Sequence, residues 1–368
     1  MIYQLVHKVN STKMSKKKVL VGLSGGVDSS VSALLLKEQG HEVHALFMKN
    51  WDDDDGSPYC SAKEDFMDAV FISEQLNIPL EQVSFSKEYK DNVFSYFLKE
   101  LEAGRTPNPD ILCNREIKFK EFYKYAMSQG YDYIATGHYA QTDNISLYKG
   151  VDSSKDQSYF LHAIDKEVLE RTLFPLGKLE KSKVREIARN NNLITSEKKD
   201  STGICFIGER PFPEFISNYL AGEEGNIINE KNDIIGTHSG LVFYTLGQRQ
   251  GLGIGGVKGA SDLPWYVAKK NLETNELTCV QGNNHPLLFS EELTTSNQFL
   301  LVDSIPEKFT GTAKVRYRQK DQDCEINILN NRINIKFASP QRSVTPGQSV
   351  VIYQDDKCLG GGEISSIN

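Results

Sequence analysis

Cys113 and Cys205 stand far apart in the chain, each in surroundings that suit a reactive thiol. Cys113 follows Thr106-Pro107-Asn108-Pro109-Asp110-Ile111-Leu112, where each proline restricts itself and the residue before it, so the loop is pre-shaped. One helical turn between Asp110 and Cys113 would bring carboxylate and thiol to the same side, where the acid could accept or return a proton. A carboxylate alone raises a thiol's pKa; lowering it needs cations or a helix N-terminus, and Arg115 and Lys118 are nearby candidates. Cys205 lies in Asp200-Ser201-Thr202-Gly203-Ile204-Cys205-Phe206-Ile207-Gly208, where glycines permit close approach. Two facing thiols can carry a sulfur atom and release it by exchange. Cys60, Cys279, Cys324 and Cys358 form no paired CxxC set of the zinc type and read as structural.

A second constellation is Ser24-Gly25-Gly26-Val27-Asp28-Ser29, between an apolar run and an amphipathic helix. Glycines let the backbone approach phosphate, and the helix N-terminus supplies N–H groups and positive dipole. No lysine follows the glycines at Walker spacing, which points away from γ-phosphoryl transfer. A plain turn with Asp28 and Ser29 as helix caps is the bland alternative.

The elements that must position these groups alternate from Val19 to about Gly208. Strands are expected at Val19 to Leu23, His44 to Met48, Gln82 to Phe85 and Tyr133 to Thr136. Helices are expected after the glycine loop as far as Gly40, from Phe66 to Leu76 and from Phe94 to Leu101. This is the pattern of a doubly wound, mostly parallel α/β sheet. Pro211 and Pro213 open a different style, with a short helix near Phe215 to Leu220 and glycine-punctuated β segments. From Trp265 the reading is almost wholly β, with strands near Thr312 to Tyr317, Cys324 to Leu329, Ile333 to Phe337 and Val350 to Tyr353, as in a small barrel or sandwich. The expected division is a basic tail at 1–17, an ATP-binding catalytic domain at 18–210, a small β-rich central domain at 211–275 and a C-terminal β-barrel at 276–368.

The glycine hexapeptide resembles the signature of the PP-loop ATP pyrophosphatases, which cleave ATP between the α and β phosphates to adenylate a substrate oxygen. Together with Asn108-Pro109-Asp110 through Cys113-Asn114, Ala135-Thr136-Gly137-His138-Tyr139, Lys155-Asp156-Gln157-Ser158-Tyr159-Phe160 and Gly203-Ile204-Cys205-Phe206, it resembles the tRNA-specific 2-thiouridylases. These motifs extend over nearly the whole chain after residue 18. The resemblance implies ATP-dependent sulfur insertion at C2 of the wobble uridine of tRNA. Cys113 would be the nucleophile and Cys205 the persulfide carrier, finishing as a disulfide that must be reduced; hydrogen sulfide release at Cys205 is the alternative within that scheme.

By the same resemblance Gly22, Leu23, Ser24, Gly25, Gly26, Val27, Asp28 and Ser29 would hold the phosphates. Met48 would pack on adenine and Gly137 would contact the nucleotide. Asn108, Pro109 and Asp110 would meet the target base, while His138, Lys155, Asp156, Gln157, Arg316, Tyr317 and Gln348 would touch tRNA. Met48 also reads as core filling and His138 as a satisfied loop residue. ATP and magnesium are the expected co-substrate and cofactor. The expected partners are tRNAs for lysine, glutamate and glutamine and a persulfide donor or relay protein fed by a cysteine desulfurase. A cytoplasmic monomer is expected.

The 368 residues are too many for one ordinary core, and no apolar run approaches a membrane span. A net charge of −7 argues against a chain-wide grip on nucleic acid, so RNA contact must come from local basic faces. Strand alternation would place Lys314, Arg316, Arg318 and Lys320 on one face, opposite Val315 and Tyr317; a solvated edge strand is the alternative. Lys178 to Arg189 adds a second positive stretch on a helix. Asp52 to Asp55 could help hold magnesium or form a solvated loop. The lysine-rich start reads as a flexible tail, with Met14 as a possible alternative start. The rival readings are a PP-loop synthetase that amidates a small metabolite and a non-catalytic nucleotide- or RNA-binding module.

Overall fold

The computed structural model describes residues 16–51, 62–200, 211–256, 259 and 261–368. Its first unit is a five-stranded parallel sheet in the order Leu80–Ser84, Glu42–Lys49, Lys18–Gly22, Tyr133–Ala135, Thr172–Leu173. The central strand is apolar along its length because both faces are covered. Leu20 enters one core with Leu46 and Ile134, while Val19 and Val21 enter the opposite core with Ala45 and Phe47. This is the doubly wound architecture expected from the alternating pattern, and the helix Val27–Glu38 follows the glycine loop as expected.

A second sheet has the order Trp265–Asn271, Glu276–Gln281, Gly225–Ile228, Ile234–His238. Here the expected boundary needs correction. Glu276–Gln281 pairs antiparallel with Trp265–Asn271 and parallel with Gly225–Ile228, so a division after residue 275 would cut a hairpin in two. The middle unit ends after Gln281.

The last unit is a six-stranded barrel. Phe289–Thr295 pairs with Arg332–Arg342 on one side and with Lys357–Ile367 on the other, closing the sheet and leaving no edge there. The hairpin Ala140–Thr142 and Leu147–Lys149, from the first unit, adds to this sheet through Cys358↔Leu147. The barrel is thereby hydrogen-bonded to the chain that leaves Tyr139.

The expected basic stripe is overturned. The strand Lys308–Lys314 stops at Lys314, and residues 315–318 form a turn with Arg318 at a left-handed φ of 63°. Period-two alternation cannot run through a turn, so it does not set the four cations on one face. Lys314 instead buries its ammonium 3.3 Å from the Asp156 carboxylate.

Candidate functional site

The glycine loop leaves the carboxyl end of the central strand, where the strand order reverses and open α/β sheets bind ligands. Gly25 has a φ of 74°, and a β-carbon there would fall 2.1 Å from the Asp65 carbonyl oxygen. Only glycine fits. Gly26 is the extended N-cap of Val27–Glu38 and gives no side-chain cap, so the first-turn N–H groups keep their capacity for an anion. The Ser24 N–H donates to Ser29 Oγ at 3.2 Å, and Ser30 Oγ donates to the Gly26 carbonyl at 2.8 Å, closing the loop on itself.

Asp28 does not cap the helix. Its carboxylate accepts from Lys181 Nζ at 2.8 Å through both oxygens and from the Tyr139 hydroxyl at 2.7 Å. Lys198 Nζ donates to the Gly25 carbonyl at 3.1 Å and to Asp65 at 2.7 Å. The loop that lacks a following lysine thus receives two from far along the chain. These glycine clearances, the uncapped helix and the two ammonium groups fit a polyphosphate. Met48 is half-buried at the end of Glu42–Lys49, with its Cε 3.0 Å from where a Gly22 β-carbon would stand, and it packs against the core.

The proline loop forms a short helix, Pro109–Cys113, capped by Asn108, whose Oδ1 accepts from the N–H groups of Asp110 at 3.1 Å and Ile111 at 3.2 Å. Pro109 takes the first helical position, where its missing N–H costs nothing. Helical geometry places Asp110 and Cys113 one turn apart. Cys113 is buried among Ile111, Leu112 and Ile117. Burial pushes the Asp110 carboxyl up, against the opposing pull of Lys118. Arg115, the other candidate cation, is committed to Glu116 at 2.7 Å and lies over the Phe299 ring.

Gly137 packs on the helix after the glycine loop, and His138 packs on Phe119 in the helical segment after Cys113. A β-carbon on Gly137 would stand 2.9 Å from the Ser29 nitrogen and from the Asp28 carbonyl carbon, so this glycine abuts the first turn after the phosphate loop. His138 is buried, hydrogen-bonded through Nδ1 to Thr136 Oγ1 at 2.8 Å, and packed against Phe119 and Phe174. Burial, with the Lys118 charge second, holds its pKa well below the ordinary histidine value, so the ring is neutral at pH 7. Lys118 therefore acts electrostatically on both His138 and Asp110.

The residues expected at tRNA lie along the junction with the barrel. Asp156 is buried, with one oxygen accepting from the N–H groups of Gly150 and Ser158 and the other facing Lys314. Such a carboxylate holds the junction together. Gln157 Oε1 accepts from the Tyr139 N–H at 2.9 Å. Lys155 pairs with Asp200 at 2.7 Å, and Tyr317 stacks near Phe160 with ring centres 4.5 Å apart. Arg316 is exposed and donates to the Ser343 carbonyl, and Gln348 Nε2 donates to the Thr106 carbonyl at 2.7 Å.

Cys205 lies outside the described residues, as do Cys60 and Asp52 to Asp55. Asp200, the last described residue before Cys205, pairs with Lys155, Lys181 and Arg185. Although burial pushes it up, hydrogen bonds from Lys155 and Lys181 hold its carboxyl down at about 2. Lys181 Nζ stands 2.8 Å from both Asp28 and Asp200, bridging the phosphate loop to the start of the second cysteine segment. Sequence reading placed Lys181 in a basic helix facing RNA and missed this bridge, and it gave Lys198 no role. Among the described residues no cluster of three His, Cys, Asp or Glu side chains is placed to hold a metal, and no helix is long and apolar enough to cross a membrane.

Three family models match the chain. One described as tRNA methyl transferase HUP domain matches residues 17–209, one described as tRNA methyl transferase PRC-barrel domain matches 213–281, and one described as aminomethyltransferase beta-barrel domain matches 290–364. A tRNA-specific 2-thiouridylase MnmA from Francisella tularensis subsp. holarctica is 57% identical over 358 residues, spanning 95% of this chain and 100% of that protein. The protein of the same name from Francisella tularensis subsp. novicida is 56% identical over the same shares. Among solved structures, the U34-tRNA thiolase NcsA from Methanococcus maripaludis is 20% identical over 53% of this chain and 64% of that one, with a TM-score of 0.36. With relatives of this identity matched over their full length, and with a family model over residues 17–209, the chain belongs to the tRNA-specific 2-thiouridylase family.

Proposed function

We propose that this chain thiolates uridine in tRNA at C2, using ATP to activate the C2 oxygen and cysteine-borne sulfur to replace it. The observation that carries the reading is the Gly137-His138 pair, which abuts the phosphate-loop helix on one side and shares the field of Lys118 with Asp110 on the other. A base held by the Asn108 to Asp110 turn would then lie beside the nucleotide. Lys181 and Lys198 would neutralise phosphate charge, and the first-turn N–H groups of Val27–Glu38 would bind phosphate oxygens. Magnesium would be met chiefly by phosphates and water.

The uridine C2 oxygen would attack the α-phosphorus, and pyrophosphate would leave. The outer sulfur of a persulfide on Cys205 would attack C2, and AMP would depart with the oxygen. The Cys113 thiolate would then attack the Cys205 sulfur, breaking the S–S bond to the base and forming a Cys113–Cys205 disulfide, which an external dithiol must reduce. Asp110, whose carboxyl is pushed up by burial, is suited to take the Cys113 proton. In the variant of this scheme the Cys113 thiolate attacks the inner sulfur of the Cys205 persulfide, the disulfide forms, and the hydrogen sulfide released at Cys205 attacks the adenylate directly.

The wobble uridine, the lysine, glutamate and glutamine tRNAs, a relay protein as donor, a cytoplasmic setting and action as a monomer belong to the same proposal. They are supported by the family to which the chain belongs. An amidating synthetase would have no use for Cys113 beside Asp110. The deciding experiment is mass spectrometry of tRNA nucleosides after incubation with ATP, magnesium and a persulfide donor. 2-Thiouridine is expected, and its absence with an active donor would overturn the proposal.

A further inference from the structure

The segment Gly104 to Thr106, just before the Asn108 cap, is held by all three units. From the first, the Arg105 N–H donates to the Glu100 carbonyl at 2.9 Å, and its guanidinium forms a forked pair with the Glu100 carboxylate. From the barrel, the Pro346 carbonyl accepts from the Thr106 N–H at 2.9 Å, and Gln348 Nε2 donates to the Thr106 carbonyl at 2.7 Å. Gly347, with a φ of 90°, lies so close that a β-carbon would stand 2.8 Å from the Thr106 nitrogen. From the middle unit, Thr245 and Thr106 hydroxyls meet at 3.3 Å, Leu272 packs where a Gly104 side chain would be, and Lys270 Nζ donates to the Gly104 carbonyl at 3.2 Å.

Lys270 is the unusual member. Among the described residues no carboxylate pairs with it, and its only acceptor is the neutral Gly104 carbonyl. Burial alone pushes its ammonium down to about 8. A methionine of similar length could fill the space beside Leu272 without the desolvation cost of a charge. The lysine is therefore poorly explained by packing and well explained by the direction of its single hydrogen bond, which fixes where the Gly104 carbonyl points.

We propose that Lys270 is a positioning residue for thiolation, setting from the middle domain the place of the Asn108 to Cys113 turn through its hydrogen bond to Gly104. The proposal rests on the thiolation reading above. The turn is short and rigid, with prolines at 107 and 109 and both first N–H groups of its helix tied to Asn108, so a shift at Gly104 passes to Asp110 and Cys113 with little absorbed between. Reacting groups misplaced by about 1 Å can cost on the order of a hundredfold in rate. Among the described residues Lys270 touches neither Cys113 nor the glycine loop, and it acts through its hydrogen bond to the Gly104 carbonyl.

The test uses full-length Lys270→Met and Lys270→Arg proteins with tRNA, ATP, magnesium and a persulfide donor, alongside the unaltered chain. Thiolation by the unaltered chain tests the underlying reading separately: without it, the thiolation reading itself fails and the variants are not compared. Given that activity, Lys270→Met should lower the single-turnover rate at saturating tRNA by about 10- to 100-fold. The tRNA affinity and the melting temperature should stay close to those of the unaltered chain, and Lys270→Arg, which keeps a donor, should restore most of the rate. An unchanged rate would overturn the proposal. So would a loss appearing wholly in tRNA affinity, which makes Lys270 an RNA contact, or a rate loss that Lys270→Arg does not relieve while the fold is intact.

Discussion

Lys181 grips Asp28 symmetrically, its ammonium 2.8 Å from each carboxylate oxygen, so a helix that begins 153 residues later in the chain supplies a cation at the glycine loop. An ion pair placed at an anion site is a reserve of charge, since entering phosphate can take the ammonium over from the carboxylate. The same Nζ stands 2.8 Å from Asp200, so Asp28 and Asp200 draw on one ammonium.

Lys181→Met should therefore reduce tRNA-dependent pyrophosphate release by on the order of a hundredfold, as for loss of one preorganised donor to a charged transition state. tRNA affinity, measured by filter binding without ATP, should change by less than about twofold. Loss of tRNA binding equal to the loss of rate would mean that the lysine serves RNA and not the nucleotide.

At Gly137 the steric argument is sharper, because the atoms a new methyl would meet at 2.9 Å belong to the backbone of Asp28 and Ser29. Backbone yields less readily than a side-chain tip. Gly137→Ala should destabilise the chain by about 1–3 kcal/mol, as overpacking does. ATP affinity and thiolation should fall together, because the glycine abuts the first turn of Val27–Glu38 while its neighbour His138 packs on Phe119, in the helical segment that follows Cys113. Calorimetry with a non-hydrolysable ATP analogue would check this, with normal nucleotide binding as the contrary result.

Cys113→Ser removes the exchange step while leaving the phosphate loop untouched. Adenylation should persist, seen as pyrophosphate release in the presence of tRNA, whereas 2-thiouridine should be absent from the nucleoside digest. Loss of both would place Cys113 in the activation step.

His162 is fully buried, and its Nδ1 lies 2.9 Å from the Tyr159 carbonyl while its Nε2 has no hydrogen-bond partner among the described residues. Burial lowers its pKa from the ordinary 6.5 to about 4. The folded state thus favours the neutral ring, so its contribution is fully present above pH 6.5 and is lost as pH falls toward about 4. The full loss is of order 3 kcal/mol. Chemical denaturation between pH 7 and pH 4 should show a steeper decline for the unaltered chain than for His162→Leu, and parallel declines would contradict this sign.

What was legible in the chain followed from local chemistry. Apolar strands alternating with amphipathic helices specified a parallel sheet, and Gly25-Gly26 after a strand specified a turn leading into a helix. The prolines about Asn108 announced a stiff turn, and Asn108 caps its helix as its side chain suits. Each signal lies within a few residues of its effect.

The tertiary structure decided the rest. Lys181 and Lys198 reach the phosphate loop only because distant helical and loop segments fold against it, and no local spacing encodes that approach. The basic alternation from Lys314 to Lys320 looked like a strand, yet barrel pairing ends at Lys314, whose ammonium is drawn to Asp156 across the domain junction. The hairpin at 140–149 joined the barrel sheet and Glu276–Gln281 joined the middle one because backbone hydrogen bonding selects partners by proximity in space. Residue type and short-range spacing thus determined which groups can do chemistry, whereas long-range packing and charge pairing decided which of them meet.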